Sequence, residues 1–347
     1  MNRARSLLLG LLVLLALGLV AAFAPRLVND YLLRVAIVIC INALLVSALA
    51  LGNGFTGVFS LGQVGFVGVG AYVSGILSLP LAAKAAYLPD LPSWLETTNL
   101  GFLPSTLAAG LVCVVLAFLV GAPLMRLSGH FVSVATLGFL IIVNVVLVNA
   151  DSFTRGARTC TGVPLQPTLP WALGWLALAL FLLARVARSP QGRAWRAVRE
   201  DGIAAQAIGI AVLPSRLSAF VIGAFFSGVG GSLYGHYLGS FSPAAFYFAY
   251  TFSLISMLVI GGMQSLTGAV VGVVLVSVLS ELLRNLERGF SLGGLTVPPL
   301  YGASQIALGV VLILIMIFRP SGLVGDRELS LGRIQRIFSQ AGKGVKP

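Results

Sequence analysis

The chain has 347 residues, 58% hydrophobic and only 9% charged. Soluble domains carry about 25% charged residues, so this composition cannot cover a water-facing surface and excludes a soluble enzyme; the apolar runs are continuous, which also disfavours the short alternating strands of a membrane β-barrel. The net charge of +12 is read as arginine in cytoplasmic loops, which orients spans. It is not read as a nucleic-acid footprint, because no basic and aromatic cluster stands outside the apolar runs.

Apolar runs in lipid must be helices, since each has to satisfy its own backbone hydrogen bonds, and a crossing needs roughly 20 residues. The expected fold is therefore an all-α membrane protein of about ten spans, near 6–24, 31–51, 58–80, 103–125, 130–150, 168–187, 215–238, 247–263, 265–285 and 303–319. The first follows Arg3 and Arg5 and ends Ala22-Phe23-Ala24-Pro25, like a signal peptide, but its apolar core is long for one and favours an uncleaved anchor. Arginine placement puts the N-terminus, the loop 189–214 and a basic tail 320–347 on the cytoplasmic side, within one permease domain over 1–347. The loops near 83–102 and 151–167 then face outward, where they either contact a partner or are simply solvated.

Two patterns stand out among the spans. Gly223, Ser227, Gly231 and Gly235 recur every fourth residue, which makes one helix face nearly flat and suited to close packing in lipid; Gly268 and Gly272 form a second such pair. By contrast, the stretch 52–65 mixes dense glycine with Asn53, Ser60 and Gln63. Glycine costs about 1 kcal/mol against alanine in a helix, so a broken or unwound segment is predicted. It either lines a cavity, as broken helices of transporters do, or is a short turn followed by a packing helix. Asn53, Ser60, Gly62 and Gln63 are the candidate path residues.

Ionisable chemistry is sparse. Glu281 sits near a span end with Arg284 three residues on, an ion-pair spacing, so no span carries a mid-membrane carboxylate of the kind ion-coupled carriers use. Cys40, Cys113 and Cys160 form no C-x-x-C pair, and His130 and His236 are far apart. A metal site or a catalytic cluster is not expected.

The charged island Ser189–Pro214 is different in kind. Pro190 and Gly192 are expected to end the sixth span, a helix to run from about Arg193 to Ile208, and Gly209 to stop it. Trp195, Val198, Gly202, Ala205 and Ile208 then make an apolar stripe, with Arg193, Arg196 and Arg199 elsewhere and Arg196 in reach of Glu200. Such a helix is either an interfacial anchor or a knob for a soluble partner.

GRAWRAVREDGIAAQAIGIAV in this island resembles the cytoplasmic loop of the permease subunits of branched-chain amino-acid ABC importers, the LivM type. GFTGVFSLGQVGFVGVGAYVSG, SAFVIGAFFSGVGGSLYGHYLGSFSP and YGASQIALGVVLILIMIFRPSGLVG are similar, in order, to that family's Gly-rich segment, the span after the loop, and the last span. The resemblance implies a second homologous permease, two ATPase subunits and an extracytoplasmic substrate-binding protein as partners, in a bacterial inner membrane. It implies that Ala204, Ala205 and Gly209, with the arginines and Glu200 around them, couple to an ATPase. This chain has no G-x-x-x-x-G-K-[ST] loop, so ATP and Mg2+ belong to the partner subunits and the chain itself needs no cofactor. Ile203 stands where the broader importer motif has Glu, and 154–162 is more basic than the family's Gly-rich stretch. Urea, amide and other amino-acid importers share the architecture; a stand-alone ion-coupled carrier and a membrane enzyme are the remaining alternatives.

Overall fold

The structure, a computed structural model, describes residues 29–127, 129–287, 290–292, 295–297, 302–319 and 321–325. The expected first span and most of the basic tail lie outside the described residues. Two compact units divide between Ser256 and Met257.

In the first unit the helices are α1 (Asp30–Ala50), α2 (Gln63–Ser78), α3 (Leu81–Tyr87), α4 (Ser93–Glu96), α5 (Phe102–Leu124), α6 (His130–Asn149), α7 (Asp151–Thr154), α8 (Leu169–Ala187), α9 (Pro190–Glu200), α10 (Gly202–Ala207) and α11 (Val212–Leu238), followed by the start of α12 (Phe248–Gly261). The second unit holds the end of α12, then α13 (Leu266–Glu287) and α14 (Ala303–Phe318). Among the described residues seven helices are long and apolar enough to cross a membrane, or eight if α2 and α3, bent by 116° at their junction, count as one span. The all-α membrane class holds. The main difference lies in the span expected at 58–80: its helix starts only at Gln63, and residues 57–62 are not helical.

α11 is the hub of the first unit, packed against α1, α2 and α5. A Cβ on Gly231 would stand 2.1 Å from the Val67 carbonyl of α2, and one on Gly235 3.1 Å from Ala71 Cβ. Gly223 lies against the Ala48 carbonyl of α1, and Ser227 is fully buried. Close approach is not confined to this stripe: Gly228 abuts Cys113 of α5, and Gly230 abuts Leu45 of α1. Helices in lipid gain little from hydrophobic association, so such backbone-to-backbone packing carries the assembly.

Several buried polar side chains inside the unit are paired with one another or with backbone. His236 is fully buried, with Nδ1 2.8 Å from the Ser232 carbonyl and Nε2 2.8 Å from Ser78 Oγ. A carbonyl only accepts, so Nδ1 carries the proton and Nε2 accepts from the serine. Asn42 accepts from the Tyr250 hydroxyl at 2.8 Å, and Asn144 donates to the Pro243 carbonyl at 3.3 Å. The three cysteines are buried and free.

The loop 151–167 is folded rather than simply solvated. Cys160 and Thr161 pair antiparallel with Phe241 and Ser240 just past α11. Arg155 Nη1 donates to the Thr159 carbonyl at 2.9 Å and to Thr161 Oγ1 at 3.2 Å, and its guanidinium lies 4.7 Å from the Tyr87 ring centroid. One of the loop's two arginines is therefore committed internally. Beside it, buried Lys84 donates to the Leu95 carbonyl at 2.9 Å and to that of Thr98, which staples α3 to the turn after α4.

In the second unit, Gly272 lets α13 approach α12, since a Cβ there would be 2.0 Å from the Met257 carbonyl. Glu281 and Arg284 are 3.1 Å apart on α13. After α14 the chain returns to α12, where Leu323 and Val324 donate to the carbonyls of Ile260 and Gly261 at 3.0 and 3.1 Å.

Two alanine substitutions test the packing. Gly231→Ala overpacks a backbone contact and should destabilise the detergent-solubilised protein by about 1–3 kcal/mol, read as a lower apparent Tm. Gly138→Ala, on α6 with nothing within 4 Å of the added carbon, should hold or raise Tm, because alanine is the better helix former.

Candidate functional site: a loop of two helices on a broken segment

The charged island folds as two helices instead of one. Ser189 caps the first: its hydroxyl accepts from the Gly192 amide, and Pro190 fills the first helical position. So Pro190 and Gly192 begin α9 and do not end the preceding span, which stops at Ala187. A Cβ on Gly192 would stand 2.2 Å from the Ala187 carbonyl, so only glycine allows this tight reversal.

The expected helix 193–208 breaks at Asp201, which is extended (φ −156°, ψ 111°). Its carboxylate accepts from the amides of Ile203 and Ala204 at 2.8 and 3.1 Å, an N-cap that restarts the helix. α10 then ends at Gly209 (φ +84°), where the Gly209 amide bonds the Gln206 carbonyl and the Ile210 amide the Ala205 carbonyl, both at 2.9 Å. This is the Schellman closure that a left-handed glycine permits.

The break redistributes the predicted stripe. Trp195, Val198 and Ala205 are buried against the body, and the Trp195 indole donates to Ser218 Oγ at 3.1 Å. Ile208, expected with them, is 74% exposed, and Ile203 is 83% exposed. Ala204 and Gly209 share this outward surface, and Arg193 is exposed. The arginines differ from expectation too. Arg196 does not reach Glu200; its guanidinium donates to the Ala187 carbonyl and lies 5.9 Å from the Phe55 ring centroid. Arg199 is the partner of Glu200, its neighbour at the helix end, and also donates to the Gly54 carbonyl at 3.2 Å.

Gly54 belongs to the Gly-rich segment, which is broken inside the unit. α1 passes into a π-helical turn, Leu51–Phe55, then an extended stretch leads to α2. Thr56 N bonds the Leu51 carbonyl at 3.2 Å and Val58 N the Gly52 carbonyl at 3.1 Å. Beyond them side chains take over. Ser60 N donates to Asn53 Oδ1 at 2.9 Å, and Asn53 Nδ2 donates back to the Ser60 carbonyl at 3.4 Å. Leu61 N donates to Thr136 Oγ1 at 3.1 Å, and Ser133 Oγ donates to the Phe59 carbonyl at 2.7 Å.

The four candidate path residues are thus close in space but not equivalent. Asn53 bridges the break. Gly62 lies against α6, where a Cβ would be 2.5 Å from the Thr136 carbonyl. Gln63 reaches across to α11, donating to Ser227 Oγ at 2.6 Å. Ser60 is buried, and its hydroxyl has no hydrogen-bond partner. Sequence reasoning missed Ser133 and Thr136, although two hydroxyl residues one turn apart at the start of an apolar helix were a readable signal. Among the described residues no three His, Cys, Asp or Glu side chains are placed to hold a metal.

These features define a polytopic helical membrane protein with a short helical loop seated on a broken span, the build of a permease. The chain belongs to the family described as branched-chain amino acid transport system / permease component, whose family model matches residues 31–318. It is 30% identical to the high-affinity branched-chain amino acid transport system permease protein LivM of Salmonella typhimurium, over 90% of this chain and 74% of that protein. LivM of Escherichia coli K12 matches to the same extent, 30% over 90% and 74%. The LivH permease protein of E. coli K12 is 28% identical over 53% of this chain and 53% of its own length. No solved structure matches the chain.

Removing the Asn53 amide tests the bridge. Asn53→Ala strands the buried Ser60 backbone and should cost about 1–3 kcal/mol of stability, with faster hydrogen exchange confined to 56–62.

Proposed function

We propose that this chain is the translocating subunit of an ATP-driven importer for branched-chain or related amino acids. It pairs with a second, homologous permease subunit and with two ATPase subunits that bind ATP and Mg2+. An extracytoplasmic binding protein delivers substrate. The complex lies in the bacterial cytoplasmic membrane, with both termini and the 189–214 loop on the cytoplasmic side. The family assignment supports the substrate class. The likeness to both LivM and LivH, two permease proteins named for one transport system, supports the paired permease.

In this reading the ATPases grip the outward face of α10. The observation that carries it is the two-sided loop: Trp195, Val198 and Ala205 are buried in the body, while Ile203 and Ile208 are exposed beside Ala204 and Gly209. Two exposed isoleucines on a capped, tightly closed helix form an apolar knob, whose burial in a partner groove is worth about 1.5–3 kcal/mol per side chain. An interfacial anchor would place the apolar face toward lipid and the charges toward water, and it needs no partner. Substrate passes beside the unwound segment, where the unpartnered Ser60 hydroxyl is the group available to it.

Reconstitution decides between this reading and a stand-alone carrier. Leucine uptake should require the ATPase subunits and ATP; uptake by the chain alone on an ion gradient would refute the proposal. Ile203→Asp with Ile208→Asp should abolish ATPase co-purification and ATP-dependent uptake while leaving membrane insertion intact, because neither side chain is buried. Ser60→Ala should lower uptake several-fold with Tm unchanged, since its hydroxyl makes no internal bond.

A further inference from the structure

We propose that Arg199 is a positioning residue for transport: it ties the cytoplasmic loop to the unwound segment, so that displacement of α9 is delivered to residues 52–62. This rests on the ATP-driven reading above and adds the route by which the driving force travels.

The tie exists because of the break. In a continuing α-helix the Gly54 carbonyl would accept from the amide of residue 58. Here the Val58 amide turns back to the Gly52 carbonyl at 3.1 Å, so the Gly54 carbonyl accepts from Arg199 Nη1 at 3.2 Å instead. A charge-assisted donor on a part-buried carbonyl is stronger than a neutral one. Packing holds the same contact. Gly57 (φ +69°) lies beneath the arginine stem, where a Cβ would be 2.7 Å from Arg199 Cγ. Three residues earlier on α9, the Arg196 guanidinium stands over Phe55, a cation–π distance.

From Gly54 the linkage continues without a gap. Asn53 is the adjacent residue and is bonded both ways to Ser60. Leu61 is bonded to Thr136 of α6, and Gln63 to Ser227 of α11. Toward its start, α9 packs closely on Ala187 at Gly192, and Arg196 donates to the Ala187 carbonyl. α9 is therefore pinned to the end of α8 on one side and to the unwound segment on the other. The second contact is made at the end of the π-helical turn, just before residues 57–62, which are not helical.

The test uses the complete transporter in proteoliposomes, with leucine taken up per ATP hydrolysed as the readout. Arg199→Ala should lower that ratio by about tenfold, the scale of an ordinary coupling free energy. A purely structural role would reduce the amount of complex recovered and leave the ratio per complex alone. Gly57→Ala, which keeps Arg199 but displaces its stem, is the second variant and should lower the ratio in the same direction, even if Arg199→Ala fails to assemble. A wild-type ratio in every variant that assembles overturns the tie and leaves the importer reading standing. Absence of ATP-dependent uptake in the wild-type complex overturns both.

Discussion

Backbone amides and carbonyls buried away from water must be bonded to something, and after Ala50 this protein leaves the α-helix, first for a π-helical turn over Leu51–Phe55 and then for non-helical chain up to Gly62. Partners are recruited from elsewhere in the first unit. Asn53 closes the loop on itself, Ser133 and Thr136 reach in from α6, and Arg199 arrives from the loop 189–214. The Asn53–Ser60 pair is the buried one, and its loss would cost about 1–3 kcal/mol. Non-helical backbone at membrane depth is tolerated only when protein covers it in this way. The break is thus the point at which α1, α2, α6 and α9 become mutually dependent.

Around it the packing is of the opposite character, regular and tight. α11 touches α1, α2 and α5 through glycines whose replacement would drive a carbon into a neighbouring carbonyl or side chain. Close backbone contact maximises dispersion between helices that gain no hydrophobic energy from leaving lipid. An irregular, side-chain-bonded segment is thus set against a tightly packed hub. In the proposed importer this pairing suits a path that opens and closes without the unit coming apart.

The loop 189–214 acquires its two faces from a single carboxylate. Asp201 ends α9 and caps α10, and this break turns Ile208 outward while Trp195, Val198 and Ala205 remain inward. Without the cap, a continuous helix would keep Ile208 on the stripe with Trp195, Val198 and Ala205.

Composition and periodicity sufficed for the class of protein, the approximate positions of the described long spans and the presence of a break near 52–65. Those properties depend on transfer of side chains to lipid and on local backbone preference, which any short window of sequence expresses. The resemblance carried by the loop and the Gly-rich motifs was likewise a property of contiguous residues. Tertiary structure alone decided where the arginines of the loop point, because Arg196 and Arg199 bond carbonyls of Ala187 and Gly54, nine and 145 residues away. It also decided that Gln63 meets Ser227 and that Leu61 meets Thr136, since an unwound backbone takes whatever donor or acceptor the fold brings within reach. Even the end of α9 at Asp201 was open to local reading, yet its consequence for Ile208 was not, because burial is a relation to the rest of the molecule.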